Sequence, residues 1–139
     1  VREAYAARVS EFMSRAVISL GKDVEVRRAA EVLIGRGISG VMVVDGDGRP
    51  IGVLSEMDIA AAISQGRVSA RIQDFMSTEV YAVDPGTTLR DAARVMSDKN
   101  VHRLFVYPGG EGVTPVSGMD VPLGIVTSKD IIRALADAA

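Results

Sequence analysis

The 139-residue sequence predicts an α/β (α+β) fold made of two β-α-β-β-α repeats, packed as a pseudo-twofold pair behind a short N-terminal helix. Three observations carry this. The octapeptide GVLSEMDI at 52–59 returns as GIVTSKDI at 124–131. An offset of 63 residues pairs EFMSRAV (11–17) with DFMSTEV (74–80), RRAAEV (27–32) with RDAARV (90–95) and GVMVV (40–44) with RLFVY (103–107). The same order of strand-like and helix-like apolar patterns then runs through both copies.

The first element, REAYAARVSEFM, reads as a helix with Tyr5 and Val9 on one side. AVISL and VYAV read as the opening strands of the two copies. The helix that follows has apolar positions at Val26, Ala29, Ala30, Leu33 and Ile34 in copy one. In copy two they fall at Leu89, Ala92, Ala93, Val95 and Met96, again near the helical period. Thr87 or Thr88 is the expected N-cap, and Gly37 and Asn100 are the expected C-terminal stops. GVMVVDGDGRPIGVLS reads as a hairpin, with Asp-Gly-Asp-Gly as the turn. DGDG also looks like part of a calcium loop, but no distal bidentate glutamate follows at loop spacing, so the turn is preferred. The octapeptides stand 72 residues apart, so copy two carries nine extra residues between Tyr107 and Pro122. That stretch, PGGEGVTPVSGMDV at 108–121, is rich in Gly and Pro and reads as an extended loop. A second helix starts at Ser55 or Thr127 and closes each copy.

The domain reading is 1–66 for repeat one with the N-terminal helix and 67–139 for repeat two, with QGRVSAR at 65–71 as the link. One such repeat is too small to bury its apolar faces well, so the copies are expected to pack together and leave two equivalent crevices.

Composition narrows the function. The net charge of −2 gives no reason to expect nucleic acid as a partner. No apolar run approaches a membrane span, and the N-terminus lacks the apolar core of a signal peptide. There is no cysteine, which fits a reducing cytoplasm and removes thiolate chemistry. His102 is the single histidine, and no G-x-S-x-G or Walker pattern occurs. A catalytic role and a metal site are therefore not expected.

The repeated Ser/Thr-x-x-Asp admits two readings. As a capping box, the hydroxyl accepts from a backbone N–H and the acid three residues on reaches back. As part of a nucleotide site, the helix N-terminus suits phosphate, the carboxylate suits a ribose diol, and the preceding glycine lets a ligand approach the strand.

With these motifs in order and present twice, the chain resembles a tandem pair of CBS domains, a Bateman module, over roughly Val9 to Leu135. The resemblance implies a non-catalytic regulatory sensor for signal transduction that binds adenosine ligands: AMP, ADP or ATP, with S-adenosylmethionine or a dinucleotide such as NAD as further candidates. No cofactor is required. It implies that Asp58 and Asp130 hold ribose hydroxyls and that Ser55 and Thr127 contact ribose or phosphate. Each site would be completed by the other repeat, with apolar residues sandwiching the adenine. Ser55 and Asp58 would pair with Val80, Tyr81, Val101, His102 and Arg103. Thr127 and Asp130 would pair with Val17, Ile18, Ile38, Ser39 and Gly40.

His102 and Arg103 stand where copy one has Ser39 and Gly40, so the Asp58 site is expected to prefer a charged nucleotide. An exposed strand end with two solvated polar residues is the plain alternative. Phe105 and Met42 stand where members of the family often have proline, and Phe105 is bulky enough to fill a crevice. The family also implies a homodimer formed through exposed helix faces, here Ala60, Ala61, Ile63, Ile131, Ile132 and Leu135, with the N-terminal helix adding to that surface. A regulated enzyme or transporter is the implied downstream partner. The alternative function is a ligand-independent dimerisation scaffold.

Overall fold

The computed structural model describes residues 5–137. In order, its elements are α1 (Val9–Phe12), β1 (Ser19–Gly21), α2 (Val26–Arg36), β2 (Gly40–Val44), β3 (Pro50–Ser55), α3 (Glu56–Ser64), a 3-10 turn (Ile72–Asp74), β4 (Glu79–Val83), α4 (Leu89–Lys99), β5 (Arg103–Val106), β6 (Glu111–Pro115), β7 (Gly124–Thr127) and α5 (Ser128–Ala136). They form two compact units. The first-copy unit holds Ile18–Glu79 with Pro115–Val121. The second-copy unit holds the segment ending at Val17, Val80–Thr114 and the segment from Pro122.

In the first-copy unit a three-stranded sheet runs β1-β2-β3, with β1 parallel and β3 antiparallel to β2. α2 turns Val26, Ala29 and Leu33 into the core with Val41, Val43, Leu54, Ala62 and Ile72. Ile34 is 86% exposed, against the sequence reading. It lies about 80° round the helix from Val26, off the buried stripe. Gly37 ends α2 in the left-handed region (φ 62°), where its missing Cβ costs nothing. The Asp45–Gly48 turn forms as expected. Asp45 Oδ1 accepts from the N–H groups of Asp47 and Arg49, both at 2.9 Å.

The second-copy unit has its own core, built from Val9, Met13, Val83, Ala92, Met96, Leu104, Val106 and Val126. Its sheet runs β6-β4-β5-β7. Thr88 caps α4 by accepting from the Asp91 N–H at 3.1 Å, and Asn100 ends it at φ 53°. Val9 is fully buried, so it supplies core and not the exposed surface expected of it. Of the expected N-terminal helix, residues 2–4 lie outside the described residues, and Val9–Phe12 is helical.

Two segments join units across the sequence copies. Ser14 exchanges both backbone hydrogen bonds with Ile125, each 2.9 Å, in the second-copy unit. Ser77 does the same with Val53, each 2.9 Å, in the first-copy unit. The Phe-Met-Ser segment at the head of each copy is thus built onto the hairpin that follows the other copy's segment. Met13 and Met76 lie directly on Gly124 and Gly52. A Cβ at Gly52 would stand 2.5 Å from Met76 Sδ, and one at Gly124 2.6 Å from Met13 Sδ. These glycines admit a neighbouring segment of this chain, which corrects the reading that they open the strand to a ligand.

The stretch 108–121 is also more than a loop. It contains β6, which extends the second-copy sheet beside β4, and the fully buried Val116, whose N–H donates to the Thr78 carbonyl at 2.9 Å. Gly110 fits closely, since a Cβ there would stand 2.8 Å from the Val83 carbonyl oxygen. Glycine count signals the turns but carries no information about a strand partner far away in sequence.

Candidate functional site

Both Ser/Thr-x-x-Asp motifs form the capping box at a strand-to-helix junction. In the first-copy unit the Ser55 N–H donates to Asp58 Oδ2 at 2.8 Å, the Ser55 hydroxyl donates to the same oxygen at 3.1 Å, and the Asp58 N–H donates back to Ser55 Oγ at 3.4 Å. In the second-copy unit the matching distances for Thr127 and Asp130 are 2.8, 3.0 and 3.3 Å. The cap uses Oδ2 in both cases. Oδ1 takes no part in either cap, so the capping and diol-binding readings are compatible, with Oδ1 of Asp130 also facing Arg133.

The remaining site residues fall as follows. Gly40 pairs with Ser55 in the β2–β3 register. The Ser39 carbonyl accepts from the Glu56 N–H at 3.1 Å. The Ile38 N–H donates to the Leu33 carbonyl at 3.0 Å, and the Ile18 carbonyl accepts from the Met42 N–H at 2.8 Å. The first-copy unit therefore gathers Ser39, Gly40, Ser55 and Asp58 at one junction, with half-buried Ile18 and Ile38 on its core.

The second-copy unit repeats the pattern. Arg103 pairs with Thr127 across the β5–β7 ladder, and the exposed His102 gives its carbonyl to the Ser128 N–H at 3.0 Å. Val101 and Tyr81 pack on that unit's core, while Val80 is buried on β4 and Val17 is half-buried. His102, Arg103, Thr127 and Asp130 thus share one junction. Arg103 stands opposite Thr127 in the ladder. Met42 and Phe105, the residues standing in place of proline, are both buried.

Sequence reasoning passed over five residues at these junctions. Glu56 and Met57 follow Ser55, where Ser128 and Lys129 follow Thr127. Arg133 Nη1 lies 3.6 Å from Asp130 Oδ1, at a position held by Ala61 in copy one. The signal for the first four lies in the octapeptides themselves, at the two positions after Ser55 and Thr127, while Arg133 falls beyond them.

Other charged groups serve the fold. Hydrogen bonds from the Gly109 and Gly86 N–H groups hold the Asp84 carboxyl below its ordinary pKa. The Arg49 N–H does so for Asp45, joined by the Asp47 N–H against a smaller opposing effect of burial. An open cavity of about 310 Å³, lined in part by Lys22, Asp23 and Asp45, lies at the end of the β1–β2 pair away from Gly40. No helix among the described residues is long and apolar enough to cross a membrane.

Two β-α-β-β-α units, each with a capped strand-to-helix junction, define a tandem-repeat α/β module. The chain belongs to the CBS domain family: the CBS domain model matches residues 9–65 and again 72–137. The chain is 29% identical over 115 residues to an uncharacterized 33.4 kDa protein in a ribosomal RNA operon of Thermofilum pendens, covering 83% of this chain and 38% of that protein. It spans 32% and 42% of two further relatives from Methanocaldococcus jannaschii, so these three relatives are each more than twice its length. It superposes with a TM-score of 0.76 on the CBS domain pair of protein MJ0100 in complex with 5′-methylthioadenosine and S-adenosyl-L-methionine, at 25% identity and 94% and 97% coverage of the two chains. It shares the fold of CBSX2 in complex with AMP (TM-score 0.68, 24% identity, coverage 93% and 96%).

Proposed function

We propose that this chain is a non-catalytic regulatory module that binds adenosine-containing ligands at the Ser55 and Thr127 helix starts, with AMP, ADP or ATP as the leading candidates. One observation carries the reading: each unit of a CBS pair presents the same junction, in which the aspartate caps its helix through Oδ2 and leaves Oδ1 out of the cap. The adenosine ligands of the MJ0100 pair support the ligand class. The helix dipole places partial positive charge at each start, for whatever the ribose carries. Occupancy is read out by a second copy or a regulated partner. The apolar residues exposed on α3 and α5 support that route, among them Ile63 at 60% and Ile132 at 66%.

Thermal unfolding with AMP, ADP, magnesium-ATP, NAD and S-adenosylmethionine, against GTP, tests the reading. A ligand at 100 times its Kd stabilises one site by about 2.7 kcal/mol. A rise with an adenosine ligand that Asp58→Ala or Asp130→Ala removes is the expected result. No shift with any of them returns both motifs to helix caps alone and leaves a dimerisation scaffold.

A further inference from the structure

We propose that the open cavity beside Gly21 and Asp45, in the first-copy unit, is a binding site for a small aliphatic carboxylate. The second copy carries the argument, because there the chain supplies such a carboxylate itself. The cavity lies at the end of β2 away from Gly40, so the proposal does not depend on the adenosine reading.

The two copies keep one register at this end. Leu20 pairs with Val43 and Val83 with Val106, at the offset of 63 residues, so Asp84 stands at the place of Gly21. Both strands run into the same turn. The Val24 N–H donates to the Gly21 carbonyl at 3.0 Å, and the Thr87 N–H donates to the Asp84 carbonyl at 2.9 Å. In the second-copy unit the Asp84 carboxylate bridges the loops that follow β4 and β5. Its Oδ2 accepts from the Gly86 N–H at 2.8 Å and its Oδ1 from the Gly109 N–H at 2.7 Å. Two backbone donors on one carboxylate favour its ionised form.

In the first-copy unit that carboxylate has no counterpart. Gly21 brings no side chain, and a Cβ built on it would meet nothing within 4 Å. Asp23 takes the position of Gly86, and Gly46 that of Gly109. Among the described residues neither N–H donates to a protein group. Both residues line the cavity of about 310 Å³. The turn after β2 begins at Asp45, one place later than the turn that Tyr107 begins after β5. The Asp23 N–H is therefore the donor whose setting is reproduced most closely.

Charge and lining narrow the ligand. Lys22 replaces Pro85 and adds an ammonium to the cavity. Of the two acids there, Asp23 is paired with Arg71 at 3.0 Å, and Asp45 turns Oδ1 to the N–H groups of its own loop. Beside Lys22 these acids admit a monoanion and oppose a dianion such as a phosphate monoester. Val24 and Val44, both half-buried, give a short aliphatic chain an apolar surface.

Amide NMR of the 15N-labelled full chain, titrated with acetate, propionate and butyrate, tests this. Propionamide is the neutral isostere, and sodium chloride at equal ionic strength is the salt control. The expected result is a saturable downfield movement of the Asp23 and Gly46 amide signals with the acids alone. The Gly86 and Gly109 signals, whose acceptor is already in place, should stay. Gly21→Asp should move the Asp23 signal downfield without added acid and weaken propionate binding about tenfold or more. Asp84→Gly, in the other unit, should make the Gly86 signal respond to propionate. Equal movement with propionamide or chloride overturns the site, as does unchanged propionate affinity in Gly21→Asp. So does a Gly86 signal indifferent to propionate in folded Asp84→Gly, or the absence of saturable movement at Asp23 with any of the three acids.

Discussion

The first-copy and second-copy units solve one folding problem with two different sets of side chains. Each has a parallel strand pair, a hairpin, a helix stopped by a left-handed residue and a capping box. They part in two places. The hairpin of the first closes on a short Asp-Gly turn, whereas the second runs through 108–121 and gains β6. Bases crowd the second junction and acids the first. Backbone devices are held in common because the fold needs them twice. The side chains at 56–57 and 128–129, which take no part in the caps, differ between the copies.

The most severe way to break the comparison is to hollow each core in turn. Leu54 and Leu104 are both fully buried, one in each unit's sheet. Leu54→Ala and Leu104→Ala should each cost about 2–5 kcal/mol in urea unfolding. A single transition in both variants would show that the units unfold together, and a split transition in one would show that they do not.

Next come the glycines under the Phe-Met-Ser segments. Gly52→Ala and Gly124→Ala should each cost about 1–3 kcal/mol, seen as a drop of several degrees in Tm. Shortening Met76 should not rescue Gly52→Ala, because the Ser77 carbonyl oxygen would still stand 2.8 Å from the new Cβ. Rescue would mean that the segment itself shifts.

Smaller still are the caps. Ser55→Ala and Thr127→Ala should each lose about 1 kcal/mol without ligand, equally in the two units. Thermal unfolding with AMP then sharpens the contrast, since loss of the ligand response in one variant alone would show that the two junctions differ in use.

The least effect is expected at the strand ends. Asp84 has its folded pKa depressed by the Gly109 and Gly86 N–H groups. Its contribution is therefore present above the unfolded carboxylate pKa of about 3.9 and is lost as the pH falls through the lower folded value. Urea midpoints of Asp84→Asn should lie below the parent at pH 7 and converge with it in acid. Asp45→Asn should behave in the same way in the other unit.

Much of this molecule is decided within a few residues of chain. Gly37 and Asn100 stop their helices, Thr88 caps α4, Asp45–Gly48 turns the hairpin, and Ser55 and Thr127 with their aspartates begin α3 and α5. Each of these couples side chains to backbone groups no more than about four residues away, so residue type and spacing suffice to show them. The repeat adds strength, because each signal appears twice at one offset.

Only the tertiary structure decided the rest. Ser14 meets Ile125 across most of the chain, and Ser77 meets Val53 across α3 and the 3-10 turn. Val9 enters a core assembled from the second copy, β6 finds β4, and Ile34 is left outside its core. Nothing local marks these partners. A glycine that admits a methionine is written the same way as one that admits a ligand, and the ladder partner of Arg103 is set by strand register and not by its neighbours in sequence. Long-range pairing is chosen by which apolar faces and backbone edges remain to be covered once local elements have formed, and that choice exists only in three dimensions.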